Sequence, residues 1–446
     1  MRLPPYDPQC KRISLNWTLR ELPLPSQNTC FMPFSSFGLS PALLRAISAK
    51  AYLVPTPVQL AAIPAVLQGR DVLGSAQTGS GKTAAFALPL LQQLENSPMN
   101  HPVSGPRRVR ALVLVPTREL SAQVGESIRS LAQYLPQALK VTTVFGGVSI
   151  NPQMMGLRGG TDIVVATPGR LLDLIDHNAL TLGGVTTLVL DEADRLFDLG
   201  FSDELTRILA LLPRQRQNLF FSATFPPAVQ ALASELLRDP VRITVAPEPQ
   251  NQPDILQRAI EVDTGQRTQL LRHLIEQNAW KRVLVFVATK HAAEMVADKL
   301  RKARINAEPF HGELSQGKRT QVLADFKASR LKVIVATDVA ARGLDIAQLP
   351  VVVNYDLPRS SVDYIHRIGR TGRAGESGIA LSFVSADTDA HFRLIEKRQR
   401  LLLVREHIAG FEPAQTAAVG TPSNGGIKGK RPSKKDKLRQ AAAHLL

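Results

Sequence analysis

The stretch AQTGSGKT, Ala76–Thr83, follows a short apolar run and leads into a helix-like sequence. A strand, a glycine-containing loop and a helix start form a setting in which backbone N–H groups wrap a nucleotide's phosphates. Lys82 would reach the β- and γ-phosphates, and the Thr83 hydroxyl would hold Mg²⁺. Ala76 replaces the glycine of the strict pattern, so a chance glycine turn before a helix is the alternative. The loop residues expected to bind nucleotide are Thr78, Gly79, Ser80, Gly81, Lys82 and Thr83.

Three carboxylates stand directly after an apolar run in LVLDEAD, residues 188–194. Isolated charges are costly in a protein interior, so a positive partner is expected where the run ends. Asp191 is placed to hold the metal, and Glu192 is placed to orient or deprotonate an attacking water. The alternative is that the acids, including Asp194, begin the helix that follows and interact favourably with its dipole.

The elements that must position these residues alternate along the chain. Short β-branched apolar runs are separated by amphipathic stretches, which predicts an α/β fold with mostly parallel sheets covered by helices on both faces. A proline-rich stretch interrupts the alternation once. The expected organisation is an N-terminal extension (1–31), a first domain (32–245), a linker (246–254), a second domain (255–411) and a basic disordered tail (412–446). Because regular patterning begins at Met32, we expect translation to start there.

The composition favours a polyanionic partner, because the net charge is +16 and the pI is about 10.1. Two cysteines, Cys10 and Cys30, make a disulfide framework or a zinc site a poor expectation, and a reducing cytoplasm fits. No apolar run of about 20 residues occurs, so no membrane span is expected. Prolines interrupt the N-terminus, which argues against a signal peptide.

With these two motifs placed, the chain resembles the DEAD-box RNA helicases of superfamily 2, over about Phe34–Phe411. DEAD is that family's motif II and AQTGSGKT its motif I, where alanine in the first position is usual. Among its members the chain is most similar to the short-tailed bacterial RNA-helicase-E-like type. The resemblance implies two tandem RecA-like domains joined by a flexible linker, with ATP and Mg²⁺ as cofactors and RNA as partner.

The resemblance also implies roles for residues of the first domain. Gln59 of the Q motif would recognise adenine, and Phe34 would stack on the base, while Ala51 replaces the usual glycine of that motif. Asp194 would communicate with Ser222 and with His366 of the second domain. Ser222 and Thr224 belong to the motif that couples hydrolysis to RNA release. The residues expected to contact RNA are Pro116, Thr117, Arg118, Gly147, Thr167, Pro168, Gly169 and Arg170.

In the second domain the resemblance implies that Arg370 and Arg373 are arginine fingers that complete the catalytic set of Lys82 and Glu192. His366 would link to motif II, and Asp345 would bind the ATP ribose. Ala288 replaces a common arginine, and a solvated basic loop is the alternative for residues 364–373. The residues expected to contact RNA are Gln316, Arg319, Thr337 and Gly343.

Three classes of function fit these motifs. The leading one is an RNA-stimulated ATPase that closes its domains on RNA, unwinds short duplexes or remodels RNA–protein complexes, and reads little sequence. A DNA helicase or translocase is disfavoured by DEAD with the Q motif, and a non-enzymatic RNA clamp by Glu192, Arg370 and Arg373. We expect a monomer in the cytoplasm, with ribosomal particles or RNA-decay machinery as possible partners. The tail segment Lys428–Arg439 is expected to tether RNA, with solubilisation as the alternative.

Overall fold

The computed structural model describes residues 32–76, 80–97, 107–245, 255–341, 349–372 and 377–414. The chain divides into two compact units, Met1–Ala246 and Pro247–Leu446. The predicted N-terminal extension, the linker and most of the basic tail lie outside the described residues, so those predictions stay predictions. Within the described ranges, no helix combines the length and the hydropathy that crossing a bilayer requires.

The first unit is built on a parallel sheet, which in the described residues has seven strands in the order β3-β4-β2-β5-β6-β1-β7. Its central strands are apolar at nearly every position, as expected for a sheet buried on both faces. The strands are β1 (Val72–Ser75), β2 (Ala111–Leu114), β3 (Val141–Val144), β4 (Ile163–Ala166), β5 (Thr187–Leu190), β6 (Gln217–Ser222) and β7 (Val241–Thr244).

Helices cover both faces of this sheet, and each face has its own buried apolar cluster. A short 3-10 helix (Phe34–Phe37) precedes them. The helices are α1 (Pro41–Ala49), α2 (Pro57–Leu67), α3 (Lys82–Asn96), α4 (Arg118–Ala132), α5 (Asn151–Leu157), α6 (Pro168–Asp176), α7 (Ala193–Asp198), α8 (Ser202–Ala210) and α9 (Pro227–Leu236).

The second unit has the same style, with a parallel sheet in the order β10-β11-β9-β12-β13-β8-β14 among the described residues. Its strands are β8 (Ile255–Glu261), β9 (Val283–Val287), β10 (Ala307–Phe310), β11 (Val333–Thr337), β12 (Val351–Asn354), β13 (Gly378–Val384) and β14 (Arg405–Glu406). Its helices are α10 (Arg267–Gln277), α11 (Lys290–Lys302), α12 (Gln316–Lys327), α13 (Asp338–Ala341), α14 (Ser361–Ile368) and α15 (Asp389–Gln399). The predicted α/β fold with parallel sheets flanked by helices is therefore confirmed.

Parallel strands bring their carboxyl ends to one edge of the sheet, which is where ligands bind in open α/β folds. In the first unit, β5, β6 and β1 are neighbours, so the loops that follow them meet at one half of this edge. The loops after β3, β4 and β2 meet at the other half. The sheet order thus separates the motifs expected to bind nucleotide from the motifs expected to contact RNA.

Candidate functional site

Two polar side chains, Ser80 and Lys82, lie at the start of α3. Lys82 begins the helix and is 6% exposed, and its Nζ lies 3.6 Å from Asp191 Oδ1. Among the described residues, Lys82 Nζ and Ser80 Oγ are buried and make no hydrogen bond. Buried donors are rarely left unpaired, so a missing acceptor is indicated. A phosphate at the N-terminus of α3 fits both groups, which supports a nucleotide here.

Gln59 is held against this loop by hydrogen bonds at both ends of its amide. Its Nε2 donates to the Gly81 carbonyl at 3.1 Å, and its Oε1 accepts from the Thr56 amide at 2.9 Å. The second contact belongs to a capping box at the start of α2. Gln59 therefore connects the Q motif to the phosphate loop, a contact that residue spacing did not predict, and its predicted adenine contact stays a prediction.

Phe34 lies in the interior rather than at the surface. It is 4% exposed and packs edge-to-face against Phe37, with ring centroids 6.1 Å apart. In this conformation the ring belongs to the apolar cluster on one face of the sheet and presents little area to a base. Its stacking on adenine stays a prediction.

Gly81 lies where the phosphate loop packs closely against Thr56 and Gln59 of the Q motif, and a side chain at this position would clash with them. Its φ of +91° lies in the left-handed region, and a Cβ there would come 2.6 Å from Gln59 Nε2 and 2.9 Å from Thr56 Oγ1. We expect Gly81→Ala to reduce ATP affinity more than tenfold, since a left-handed alanine costs about 1–2 kcal/mol even before the clash. Nucleotide titration by fluorescence would measure the loss.

Gly69→Ala is the matched control for this prediction, because Gly69 has a φ of +75° but open space where a Cβ would lie. It should lower the melting temperature through the same backbone cost and leave ATP affinity unchanged. Equal affinities for the Gly81 variant and the unaltered chain would contradict the predicted steric role.

Asp191 lies at the end of β5 and is 3% exposed. Burial raises the pKa of its carboxyl, and the nearby Lys82 ammonium opposes that shift. Its Oδ1 accepts from the Glu192 amide at 2.9 Å. The described residues contain no cluster of three or more acidic, histidine or cysteine side chains that could hold a metal by itself. One carboxylate with the Thr83 hydroxyl suits Mg²⁺ that arrives with phosphate ligands.

Glu192 adopts a left-handed backbone conformation, with φ 53° and ψ 50°, just before α7. Such a conformation is uncommon for a residue with a side chain and recurs at functional sites. The carboxylate is 4% exposed, and its Oε2 pairs with Arg195 Nη1 at 2.8 Å. Arg195 is also buried. Sequence reasoning missed this partner, although an arginine three residues after the acid was visible.

Asp194 connects motif II to the residues at and just after the end of β6. Its amide donates to Ser222 Oγ at 3.1 Å, and its Oδ2 accepts from the Thr224 amide at 2.9 Å and the Thr224 hydroxyl at 2.7 Å. Ser222 is fully buried. The contact between the two motifs is thus present in the first unit, while its coupling function stays a prediction.

The other half of the carboxyl edge holds the residues predicted to contact RNA. Thr117 caps α4 by accepting from the Leu120 amide, and Thr167 and Pro168, both buried, stand at the start of α6 with Gly169. Arg118 and Arg170 both reach the loop after β3. The Arg118 guanidinium lies within 2.3 Å of where a Cβ on Gly147 would be, and the φ of +74° at Gly147 favours glycine there.

Arg170 is 9% exposed and donates to the Val148 carbonyl at 2.7 Å. It therefore supports the loop that contains Gly147. Pro116 follows β2 and is buried. The structure gathers all eight predicted residues at this half of the edge, and their contacts with RNA stay predictions.

In the second unit the predicted residues fall at the ends of several elements. Thr337 ends β11, and Gln316 begins α12. Arg319 is buried, lies 4.4 Å above the Phe310 ring and donates to the His311 carbonyl at 2.9 Å. Because these contacts are internal, little of the Arg319 guanidinium surface is accessible to RNA in this conformation.

His366 is half-buried in α14, and Arg370 is buried just after that helix. Arg367 lies between them, and the sequence analysis assigned it no role. Its guanidinium pairs with both carboxylate oxygens of Asp338, at 2.6 and 2.7 Å, and also donates to Asn354 Oδ1. Arg367, the first arginine of the segment 364–373, therefore stabilises the packing of α13, β12 and α14 within the second unit. Five predicted site residues lie outside the described residues: Thr78, Gly79, Gly343, Asp345 and Arg373.

Comparisons with known proteins decide the family. A DEAD/DEAH box helicase model matches residues 56–232, and a helicase conserved C-terminal domain model matches residues 266–375. The ATP-dependent RNA helicase DeaD of Mycobacterium tuberculosis is 41% identical over 386 residues, which cover 86% of this chain and 67% of the relative. The rRNA helicase rrp3 of Sclerotinia sclerotiorum is 40% identical over 85% of this chain and 78% of its own length.

The chain belongs to the DEAD-box helicase family.

Solved structures of this family agree with the fold of the DEAD-box helicase described above. Saccharomyces cerevisiae Dbp5, solved with RNA and ADP BeF3, has a TM-score of 0.73 at 30% identity and covers 84% of this chain and 95% of its own. Its fold confirms two tandem RecA-like domains. This DEAD-box helicase is therefore an enzyme of an ATP-dependent RNA helicase family. Its likeness to the RNA-helicase-E-like type stays a prediction.

Proposed function

We propose that this chain is an RNA-stimulated ATPase that locally unwinds short RNA duplexes or remodels RNA–protein complexes. The observation that carries the proposal is the buried group of Lys82, Asp191 and Glu192 at one half of the carboxyl edge. Beside it, at the other half of the same edge, lie the residues predicted to contact RNA. Binding at a nucleotide site can be coupled to binding at an RNA surface on the same sheet through the loops between them.

The chemistry we propose divides among the residues of the first unit. Lys82 and the loop before α3 hold the β- and γ-phosphates, and Thr83 with Asp191 would hold Mg²⁺. The metal, when bound with nucleotide, neutralises charge on the phosphates. Glu192 orients the attacking water and accepts its proton. Arg195 fixes one oxygen of that carboxylate and leaves the other available.

The second unit would supply the remaining catalytic groups. Arg370 and Arg373 would stabilise charge on the transferring phosphoryl group, and Asp345 would bind the ribose. Because the proposed catalyst draws on both units, closure of the domains is expected to assemble it. ATP and RNA would then favour the same closed state, and their binding would be reciprocally coupled. His366 would contact motif II and so couple that motif to the second unit.

Little sequence specificity is expected in the RNA that is bound. Residues such as Thr117, Thr167 and Thr337 stand at helix starts and strand ends, where hydroxyls and backbone amides suit phosphates and sugars better than base edges. Closure on one strand would bend it and release its partner. Ribosomal particles or RNA-decay machinery are partners compatible with this mode of binding. We propose that the enzyme acts as a monomer in the cytoplasm, for which the low cysteine content is suited.

The proposal is tested by comparing ATP hydrolysis with single-stranded RNA, duplex RNA and DNA of the same sequence. We expect RNA to raise the rate at least tenfold, since closure on RNA would bring the fingers into place. A fluorescent duplex should separate only when ATP is present. Equal stimulation by DNA would favour the DNA helicase or translocase instead, and hydrolysis that RNA does not change would contradict the proposal.

A further inference from the structure

The first unit has a second edge, formed by the amino ends of its strands, on the side opposite the nucleotide-binding loops. The first residues of β3, β4, β2, β5 and β6 are paired in register, and β1 and β7 begin two positions further along β6. The loops that precede the seven described strands therefore enter the sheet along one line. At about 4.8 Å between neighbouring strands, this line is about 30 Å long.

Basic residues precede six of these seven strands within five positions. Together they define the basic edge: Lys140 before β3, Arg158 before β4, Arg107, Arg108 and Arg110 before β2, Arg214 and Arg216 before β6, Arg70 before β1, and Arg238 before β7. The same segments contain three carboxylates: Asp71, Asp162 and Asp239. Nine cations against three acids leave the segments with a net charge of +6.

One explanation is purely structural, since helices of a parallel α/β unit end at this edge and cations there stabilise helix carboxyl ends. Six of the nine side chains do donate to backbone carbonyls, as Arg107 does to Ala138 at 2.9 Å and Lys140 to Arg158 at 3.0 Å. A carbonyl holds a cation in place but has no net charge. These contacts therefore orient the cations without neutralising them.

The carboxylates neutralise only part of the charge. Buried Asp162 pairs with both Arg107 and Arg110, the latter at 3.2 Å, and exposed Asp239 pairs with Arg70 at 3.2 Å. The oxygens of Asp71 accept instead from backbone and amide groups of Asn218 and Arg238.

Like charges are also crowded together at this edge. Burial, and then the charge of nearby Arg238, lowers the pKa of the Arg216 guanidinium, and the charge of Asp71 opposes this shift only in part. Helix ends add Glu95, Asp176 and Glu235 to the surroundings, but Asp176 already pairs with Arg207. A surface that carries an excess of cations is suited to a polyanion.

We propose that the basic edge binds the phosphate backbone of RNA outside the segment held at the carboxyl edge. Eight of its nine cations are arginines, whose planar forks match phosphate oxygens. Strands of four residues separate the two edges by about 13 Å plus the loops, so the two surfaces contact different segments. The choice of RNA as the polyanion rests on the proposed function, and the second contact would hold the enzyme near structured RNA.

The test is a triple variant in which exposed Arg108, Arg158 and Arg214 are each changed to glutamate. Two probes are compared by fluorescence anisotropy: a short single strand, and the same strand extended by an RNA duplex. We expect affinity for the extended RNA to fall roughly tenfold or more, and the slope of log affinity against log salt to decrease by about 2–3. Affinity for the short strand, and the ATPase rate it stimulates, should stay within twofold.

The matched control changes three exposed basic residues of the second unit, Lys281, Lys397 and Arg398, to glutamate, so that its net charge equals that of the test variant. An equal loss in that control would overturn the proposal, because the effect would then follow net charge alone. Unchanged affinity for the extended RNA would also overturn it and leave the edge to helix-end stabilisation or a protein partner. An equal loss for both probes would contradict a separate surface. If RNA fails to stimulate the unaltered chain, the proposed function fails, while the binding comparison still tests the edge.

Discussion

Replacing Glu192 with glutamine is expected to lower the rate of ATP hydrolysis by about 10²–10⁴-fold while ATP binding stays nearly unchanged. The amide keeps the size of the side chain and can still accept from Arg195 Nη1, which now lies 2.8 Å from the carboxylate. It cannot accept a proton from water. Single-turnover hydrolysis at saturating RNA, together with a nucleotide titration, separates the chemical step from binding.

The matched control for this prediction is Glu235→Gln, the same change at an exposed position on α9. It should leave both the rate and the nucleotide affinity unchanged. Because Arg195 is buried beside Glu192, the melting temperature of each variant should be compared as well. A Glu192 variant that hydrolyses ATP at the normal rate would refute the assignment of Glu192 as the general base.

Replacing Arg370 with glutamine is expected to lower RNA-stimulated hydrolysis by about 10³-fold or more, because an arginine finger contributes about 10³–10⁵ in related nucleotide hydrolases. Affinity for ATP should change little, since the phosphate-binding groups belong to the first unit. Arg370→Lys keeps the charge but loses the planar fork, so it should remain strongly impaired. Steady-state ATPase assays over a range of RNA concentrations would measure both variants.

Arg367→Gln is the informative comparison for this prediction, because it changes the neighbouring arginine of the same motif. Its side chain bonds to Asp338 and Asn354 and lies 4.9 Å from the Phe286 ring, entirely within the second unit. We expect a clear fall in the melting temperature of Arg367→Gln. The melting temperatures of the Arg370 variants should be measured beside it, because Arg370 is buried as well. If the Arg370 variants hydrolyse ATP normally, the proposed two-unit catalyst is wrong.

Much of the fold could be predicted because it depends on local pattern. Runs such as Leu188–Leu190 are apolar throughout, which requires a sheet covered on both faces. The phosphate loop and motif II could likewise be located, because each is a short segment whose chemistry depends on neighbouring residues. Communication of Asp194 with Ser222 was expected only through the family resemblance, and the contact of Asp194 with Thr224 appears only in the structure.

Other features depend on residues that are distant in sequence. Gln59 reaches Gly81 across 22 positions, and Arg367 reaches Asp338 across 29. Neither pair has a spacing that periodicity can detect. The burial of Phe34 against Phe37 depends in the same way on the whole fold and could not be read from its position in the sequence.

The sequence by itself determined the family and the two α/β units, because these are properties of contiguous segments, and it predicted which groups bind the nucleotide. Only the tertiary structure decided which arginines are internal supports, such as Arg367, and that Arg195 pairs with Glu192. It also aligned basic residues from six separate loops along one edge of the first sheet. The physical reason is strand order: β3-β4-β2-β5-β6-β1-β7 is set by packing across the whole unit, and no local pattern encodes it.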